Sequence, residues 1–127
     1  MPMISIIDDD VWARDGIREL VESLGYGVRT FESAEQFLES SAPDETNCLI
    51  TDIQMPGLSG LDLQRSLKAQ GYRIPVIFIT AFPDERRRSN AFDAGAVGFL
   101  SKPFGERSLI DCLALALKPD STSTQTS

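Results

Sequence analysis

Acidic side chains are prominent among the residues of this chain whose chemistry could be used. Asp8, Asp9 and Asp10 follow an apolar run near the N-terminus, and Asp52 follows a second apolar run. If folding brings these carboxylates together they repel, since two charges about 4 Å apart cost roughly 4 kcal/mol at an effective dielectric constant of about 20. A hard divalent cation offsets such a cost, and Mg²⁺ usually binds one or two carboxylates, water and a phosphate oxygen. The pattern predicts a divalent metal site if the fold joins the two segments.

Short apolar runs alternate along the chain with segments of helical periodicity. The predicted strands are Met3–Ile7, Val28–Phe31, Cys48–Thr51, Val76–Ile79 and Val97–Leu100. The predicted helices are Val11–Leu24, Ala34–Ser40, Leu61–Gln70, Glu85–Ala94 and Glu106–Leu117. Five strands alternating with five helices favour parallel pairing through right-handed crossovers. The predicted fold is therefore an open, doubly wound α/β sheet of five parallel strands, (βα)5, of flavodoxin-like type.

The polar residues follow the ends of four of these strands. The three aspartates follow the first strand, Asp52 follows the third, Thr80 follows the fourth and Lys102 comes just after the fifth. Ligands in such sheets bind outside the carboxyl ends of the strands, so these groups should meet at one edge. A run of three aspartates alone is more often a cap for the next helix. That alternative leaves the other three positions unexplained.

Local signals support the predicted helix ends. Glycines follow three of the helices, where a left-handed cap is favoured, namely Gly25, Gly71 and Gly95. Ser33 with Gln36 is typical of a capping box, and Asp84 is predicted to cap the fourth helix.

Composition narrows the class of protein. The chain has 127 residues, 42% of them hydrophobic, which fits one globular domain. Its net charge of −7 makes it a poor nucleic-acid binder, and it has neither a membrane-length apolar stretch nor a signal peptide. Cys48 and Cys112 are expected to be buried free thiols, as in a cytoplasmic protein. The absence of histidine excludes His-based triads and His metal sites within this chain.

Four segments carry a resemblance to a known family. They are Ile6–Asp10, Thr51–Gly57, Ile79–Ala81 and Ala94–Phe104, which contain the D-x-x-M-P-G and G-A-x-x-F-x-x-K-P-F motifs. Over about residues 3 to 117 the chain resembles the receiver domains of bacterial two-component response regulators, and it is most similar to FixJ-type receivers. The resemblance also implies a cis peptide bond before Pro103.

The resemblance implies a role for each acidic residue. Asp52 would be the nucleophile that becomes an aspartyl phosphate. The domain would not be an enzyme in the usual sense, since it would catalyse only its own phosphorylation and a slow dephosphorylation. Asp9 would ligate Mg²⁺ or Mn²⁺ directly, Asp8 would act mainly through a coordinated water, and Asp10 is a candidate third participant. Asp52 and the backbone carbonyl of Gln54 would complete the protein ligands.

The resemblance also implies a switch. Lys102 would pair with the phosphoryl oxygens and Thr80 would hydrogen-bond to them. Phe99 would rotate into the space that Thr80 vacates, although spacing alone favours an ordinary core aromatic. Gln54 and Phe82 occupy positions that tune the lifetime of the phosphoryl group. The face formed by the fourth helix, the fifth strand and the fifth helix would change with phosphorylation.

The resemblance implies a sensor histidine kinase or a histidine phosphotransfer protein as the partner. Since this chain has no histidine, the phosphohistidine donor must be another protein. Residues 1–118 are expected to form the receiver domain, and 119–127 a flexible tail or the start of a linker to an effector domain that controls transcription. A stand-alone receiver or phosphorelay protein is the alternative. Dimerisation through the fourth helix and fifth strand is implied, but Arg86–Arg88 depart from the apolar surface expected there. No binding of nucleic acid or membranes by this domain itself is expected.

Three other functions fit the sequence less well. A phosphatase of the haloacid-dehalogenase type uses D-x-D-x-T after the first strand, and here Trp12 stands in place of the threonine. A flavin or nucleotide module on the same fold needs a phosphate-binding loop where this chain has three aspartates. A pseudo-receiver that is never phosphorylated would not need all the residues of the phosphorylation site, whereas this chain has them all.

Overall fold

A computed structural model describes residues 2–117 of the chain. The strands are β1 (Met3–Ile7), β2 (Gly27–Phe31), β3 (Cys48–Asp52), β4 (Val76–Thr80) and β5 (Gly98–Ser101). The helices are α1 (Val11–Ser23), α2 (Ala34–Glu39), α3 (Ala42–Glu45), α4 (Gly60–Ala69), α5 (Glu85–Asp93) and α6 (Glu106–Ala116). Within this part of the chain, no helix is both long and apolar enough to cross a bilayer.

All neighbouring strands of the sheet run parallel, in the order β2-β1-β3-β4-β5. Every residue of β3 and β4 is buried, as expected for central strands with helices on both faces. One hydrophobic cluster joins the sheet to α1 and α6, and a second joins the opposite face to α2–α5. The doubly wound, flavodoxin-like fold predicted from the sequence is confirmed.

The differences from the predicted elements are small and have local causes. Strand β5 is displaced by one residue from the predicted range, although the Val97 amide just before it already bonds to the Val76 carbonyl. The short helix α3 was not predicted, since its four residues, with Pro43 near the start, are too few to show a helical period. The predicted tail, 119–127, and residue 118 lie outside the described residues.

The predicted caps are found, with one exception. Gly25, Gly71 and Gly95 have φ angles of 93°, 91° and 100°, and the Asp84 side chain accepts from an amide in the first turn of α5. Ser33 accepts a hydrogen bond from the Gln36 amide, over 3.1 Å. The Gln36 side chain reaches Glu32 instead of Ser33, so the predicted capping box is only half formed.

Candidate functional site

Three of the predicted aspartates meet at the carboxyl edge of the sheet. Asp8 follows β1, Asp52 ends β3, and each of Asp8, Asp9 and Asp52 has a carboxylate oxygen within 4.8 Å of the others. Asp8 is fully buried and Asp52 is 7% exposed, whereas Asp9 is exposed. The parallel topology produces this cluster, because β1 and β3 are adjacent and end at the same edge.

Lys102 is the positive charge of the cluster. Its Nζ lies 2.8 Å from Asp8 Oδ2 and 3.1 Å from Asp52 Oδ2. Its backbone amide donates to the Thr80 carbonyl over 2.8 Å, which extends the β4–β5 pairing to the site. The peptide bond from Lys102 to Pro103 is cis, as the resemblance implied. One ammonium group therefore bridges the two buried carboxylates.

Backbone amides hold the remaining oxygens of the two buried carboxylates. Asp52 Oδ1 accepts from the Gln54 amide over 3.0 Å, and Asp8 Oδ1 accepts from the Asp10 amide over 2.9 Å. Each is a local turn in which an aspartate bonds to the backbone two residues further along. The carboxylates are thus fixed in orientation before any ligand binds.

Burial and charge act in opposite directions on this cluster. Burial raises the pKa of Asp52 above its ordinary value; the Gln54 amide and Lys102 oppose this rise, and the charge of Asp8 adds to it. Burial lowers the pKa of Lys102, but hydrogen bonds and charges from Asp8 and Asp52 outweigh that effect, and the net shift is upward. The ammonium form of Lys102 is therefore favoured, and Asp52 is a poorly hydrated carboxylate.

The donor set suits a hard divalent cation. The clustered ligand atoms are all carboxylate oxygens, which Mg²⁺ and Mn²⁺ prefer, and no thiol or imidazole lies among them. Within residues 2–117, the Asp9 side chain makes no hydrogen bond or ion pair, although it adjoins the two paired carboxylates. Asp8, Asp9 and Asp52 are thus the residues that could hold the metal. The Gln54 side chain is exposed, and its backbone carbonyl is the further ligand that the resemblance implies.

Asp10 lies outside this group. Its side chain accepts from the Trp12 amide over 3.0 Å and caps α1. The helix-cap alternative is therefore right for this one aspartate of the three.

The predicted switch residues lie along β4 and β5. Thr80 is fully buried at the end of β4, and its Oγ1 accepts from the Phe82 amide over 3.1 Å. Phe82 is 68% exposed. Phe99 pairs in register with Phe78 on the neighbouring strand and packs, half-buried, against the hydrophobic cluster on the α2–α5 side. The structure thus brings Thr80 to the site edge and places Phe99 earlier on the adjacent strand.

Three residues that contact the site or the loop after Asp52 were not predicted. Arg14 Nη1 donates to the Asp8 carbonyl over 2.7 Å, and Glu35 Oε2 accepts from the Leu58 amide over 3.0 Å. A Cβ on Gly60 would lie 2.5 Å from the Asp52 carbonyl oxygen. Arg14 and Glu35 carry no sequence signal, because charged residues on amphipathic helices are common. Gly60 could have been found as a glycine at the start of a helix close behind the nucleophile.

A surface depression of about 630 Å³ adjoins the acidic cluster. Apolar parts of its lining come from Trp12, Leu20 and Phe104, and Asp10 and Lys102 also line it. Trp12 is 83% exposed, an unusual degree for so large an apolar side chain. The depression places apolar surface directly beside the polar site.

Comparison with known sequences finds the same family that the sequence motifs resemble. Residues 4–114 match the family described as "Response regulator receiver domain". Nodulation protein W of Bradyrhizobium diazoefficiens is 41% identical over 118 residues, which are 93% of this chain and 52% of that protein. Response regulator protein TodT of Pseudomonas putida is 43% identical over 116 residues, 91% of this chain and 51% of that protein. The chain spans about half the length of the curated relatives it matches.

Solved structures of response regulators share the fold of this chain. The response regulator StyR has a TM-score of 0.86 and 41% identity, over 98% of this chain and 63% of that chain. FixJ-N has a TM-score of 0.84 and 35% identity, over 93% of this chain and 94% of that chain. The similarity to FixJ predicted from the sequence is confirmed.

Proposed function

This chain belongs to the response regulator receiver domain family, and from that premise we propose that Asp52 accepts a phosphoryl group from a partner histidine kinase or histidine phosphotransfer protein. Receiver domains are regulatory components of two-component systems, so the product would be a signalling state. The proposal rests on one observation above all. Lys102 bridges Asp52 and Asp8 at the edge where Asp9 completes a carboxylate cluster.

In the proposed reaction an Asp52 carboxylate oxygen attacks the phosphorus of a phosphohistidine. An O–P bond forms, the N–P bond breaks, and the imidazole nitrogen of the donor keeps the electron pair of that bond. The Gln54 amide and Lys102 hold the two carboxylate oxygens in place beforehand. Lys102 would then move its interaction to the phosphoryl oxygens and offset their charge. Positioning and charge stabilisation account for most catalysis of phosphoryl transfer.

Asp8, Asp9, Asp52 and the Gln54 carbonyl are the residues that would hold Mg²⁺ or Mn²⁺. The bound cation would neutralise charge on the phosphoryl oxygens and offset repulsion among the carboxylates. Asp9 is the exposed member of the cluster, so it is the one that a cation from solvent would meet first.

The proposed output is a change in the face formed by α5, β5 and α6. Thr80 would turn from the Phe82 amide to the phosphoryl group, and Phe99 would follow it. The weak anchoring of α5 supports this, since Ala91 is its only buried residue. Gln54 and Phe82 would tune how long the phosphoryl group survives.

Transcription control through an effector domain beyond this chain is the proposed role in the cell, with the exchange taking place in the cytoplasm. The relative FixJ is a "Transcriptional regulatory protein", and this chain covers 56% of it. A stand-alone receiver or phosphorelay protein stays the alternative. Phosphorylation would promote pairing of two copies through α5 and β5, although the exposed Arg86 and Arg88 depart from the apolar surface expected of such a face.

Intact-mass spectrometry after incubation with acetyl phosphate and Mg²⁺ tests the proposal. We expect one phosphoryl group on the wild type and none on Asp52→Asn, because an amide cannot form the mixed anhydride. Asp93→Asn, a change at an exposed aspartate of α5, is the matched control and should behave as wild type. Equal incorporation in Asp52→Asn would refute the assignment. No incorporation in the wild type would favour the pseudo-receiver alternative.

A further inference from the structure

Glu35 connects α2 to the segment that follows the proposed phosphoacceptor. Its Oε2 accepts a hydrogen bond from the Leu58 amide over 3.0 Å, and its side chain is half-buried. Leu58 lies in the loop between β3 and α4, which begins directly after Asp52. A carboxylate on a separate element therefore contacts the backbone of the loop that carries Gln54.

This loop has few other constraints in its middle. Its ends are fixed, because the Ile53 amide donates to Ile79 and the Gly60 amide donates back to Ile53, each over 2.9 Å. Between Met55 and Leu58, the bond to Glu35 is the only hydrogen bond that the described part of the chain provides. Pro56 has no amide hydrogen to donate. Apolar packing of Met55 and Leu58 supplies the remaining anchorage.

Glu35 also packs against the turn of the loop. Gly57 has a φ of 79°, a conformation that favours glycine, and a Cβ there would lie 2.5 Å from Glu35 Oε2. The carboxylate thus occupies the space beside a glycine that has no side chain. The same oxygen, Glu35 Oε2, makes both the hydrogen bond and this close approach.

The helix that carries Glu35 is itself firmly placed. Ser33 caps its first turn, and Ala34 and Phe37 are fully buried in the core. The preceding strand is tied to the site as well, because the Asp8 amide donates to the Phe31 carbonyl over 3.2 Å. The helix that carries Glu35 is therefore held in a fixed position relative to Asp8.

We infer that Glu35 is a positioning residue that holds the loop after Asp52 so that the Gln54 backbone carbonyl stays available to the divalent cation. The inference rests on the proposed function, since it concerns one of the proposed metal ligands. Glu35 acts through the Leu58 amide and does not itself bind the metal. The hydrogen-bond acceptor and its reach matter for this role, and the negative charge does not.

Two conservative variants separate these properties. Glu35→Gln keeps the reach and an acceptor oxygen but removes the charge, and Glu35→Asp keeps the charge but shortens the side chain. We expect Glu35→Asp to exchange the Leu58 amide hydrogen roughly five- to tenfold faster in metal-free protein, which is the change expected for the loss of one ordinary hydrogen bond. Its Kd for Mg²⁺ should rise several-fold, while Glu35→Gln stays within about twofold of wild type in both measurements.

Glu35→Ala serves as a third variant and should match Glu35→Asp, and thermal melts without metal establish that each variant is folded. If Glu35→Gln weakens Mg²⁺ binding as much as Glu35→Ala does, long-range charge attraction explains the effect and the inference is wrong. Unchanged Leu58 exchange and Mg²⁺ affinity in Glu35→Asp would also overturn it. A wild type that takes up no phosphoryl group would overturn the proposed function instead, and that outcome is recognised before any variant is made.

Discussion

The buried hydroxyl of Thr80 accepts a hydrogen bond from the amide of the exposed residue Phe82, over 3.1 Å. The Phe82 carbonyl in turn accepts from Arg87 Nη1 over 2.8 Å, and Arg87 also pairs with Asp84 at the start of α5. A chain of contacts therefore runs from the end of β4 to the surface of α5. If Thr80 turns toward a phosphoryl group, the first contact of this chain is lost and the segment before α5 is released.

Thr80→Ala should separate modification of Asp52 from the distant response. With the beryllofluoride adduct of Asp52, which mimics a phosphoryl group, amide shifts in the wild type should change across residues 80–100. In Thr80→Ala the changes should stay close to Asp52, because the hydroxyl that couples the site to Phe82 is absent. Thr80→Ser keeps the hydroxyl and is the control. Distant shifts that persist in Thr80→Ala would show that the coupling takes another route.

Asp9→Ala should weaken Mg²⁺ binding without destabilising the metal-free protein. Asp9 is exposed and lies beside two other carboxylates, so its removal relieves repulsion. The free energy of unfolding without metal should stay within about 0.5 kcal/mol of wild type or rise. Asp8→Ala is the contrasting variant and should lose stability, because Asp8 is buried and bonded to Lys102. A clear loss of stability in metal-free Asp9→Ala would assign Asp9 a mainly structural role.

Lys102→Met should destabilise the metal-free protein by about 3 kcal/mol, the lower end for breaking a buried ion pair. We expect the lower end of that range because the Lys102 side chain is still 19% exposed to solvent. Urea denaturation with and without Mg²⁺ measures the effect, and Mg²⁺ should recover more stability in this variant than in wild type. Arg107→Met removes an exposed cation that makes no hydrogen bond or ion pair within residues 2–117 and is the matched control. Equal stability of the two variants would mean that Lys102 does little to offset the buried carboxylates.

Gly60→Ala should cost roughly 1–3 kcal/mol of stability, as overpacking of a tight interior does. The new Cβ would meet the Asp52 carbonyl oxygen at 2.5 Å and Ile53 Cα at 3.1 Å, and backbone atoms cannot move aside cheaply. Gly16→Ala in α1 has nothing within 4 Å and should gain roughly 0.5–1 kcal/mol instead. Chemical denaturation of the pair tests this, and a neutral Gly60→Ala would mean that α4 shifts readily.

Cys48 should make the protein less stable in alkali. Burial raises the pKa of its thiol to about 12 from an ordinary value of 9.0, so the folded state keeps the proton that the unfolded state loses. The contribution of this proton to the free energy of unfolding is complete below about pH 9. It is lost as the pH rises toward 12, by at most about 1.4 kcal/mol per pH unit. Stability should therefore fall less steeply above pH 9 in Cys48→Ala than in wild type.

Thiol labelling gives an independent measurement of the same burial. A disulfide reagent at neutral pH should react with the half-buried Cys112 well before Cys48, which is fully buried. Rapid reaction of Cys48 in the folded protein would contradict the prediction.

The sheet could be predicted because its strands are short apolar runs separated by helical patterns. The meeting of Asp8, Asp52 and Lys102 followed from parallel topology alone, which fixes which strand ends share an edge. The helix α3 escaped prediction because four residues carry no period. The apolar pattern indicates the long elements, but it does not reveal where a single short turn of helix begins.

Side-chain partners were harder to predict than backbone positions. Asp10 has the same type and neighbourhood as Asp8 and Asp9, yet its carboxylate bonds to the Trp12 amide because it falls one residue before α1. Glu35 lies on an amphipathic helix where an acidic residue is unremarkable, and its contact with Leu58 spans elements that are distant in sequence. Such contacts depend on the relative placement of helices, which the sequence pattern does not specify.

Trp12 gives the protein a built-in optical reporter. It is the only tryptophan of the chain, so all tryptophan emission comes from one indole, and that indole is 83% exposed beside the depression that Lys102 also lines. Water around an exposed indole shifts its emission to longer wavelength, and a covering apolar surface reverses the shift. An apolar partner that covers this indole should therefore shift the protein's own fluorescence to shorter wavelength, without a label.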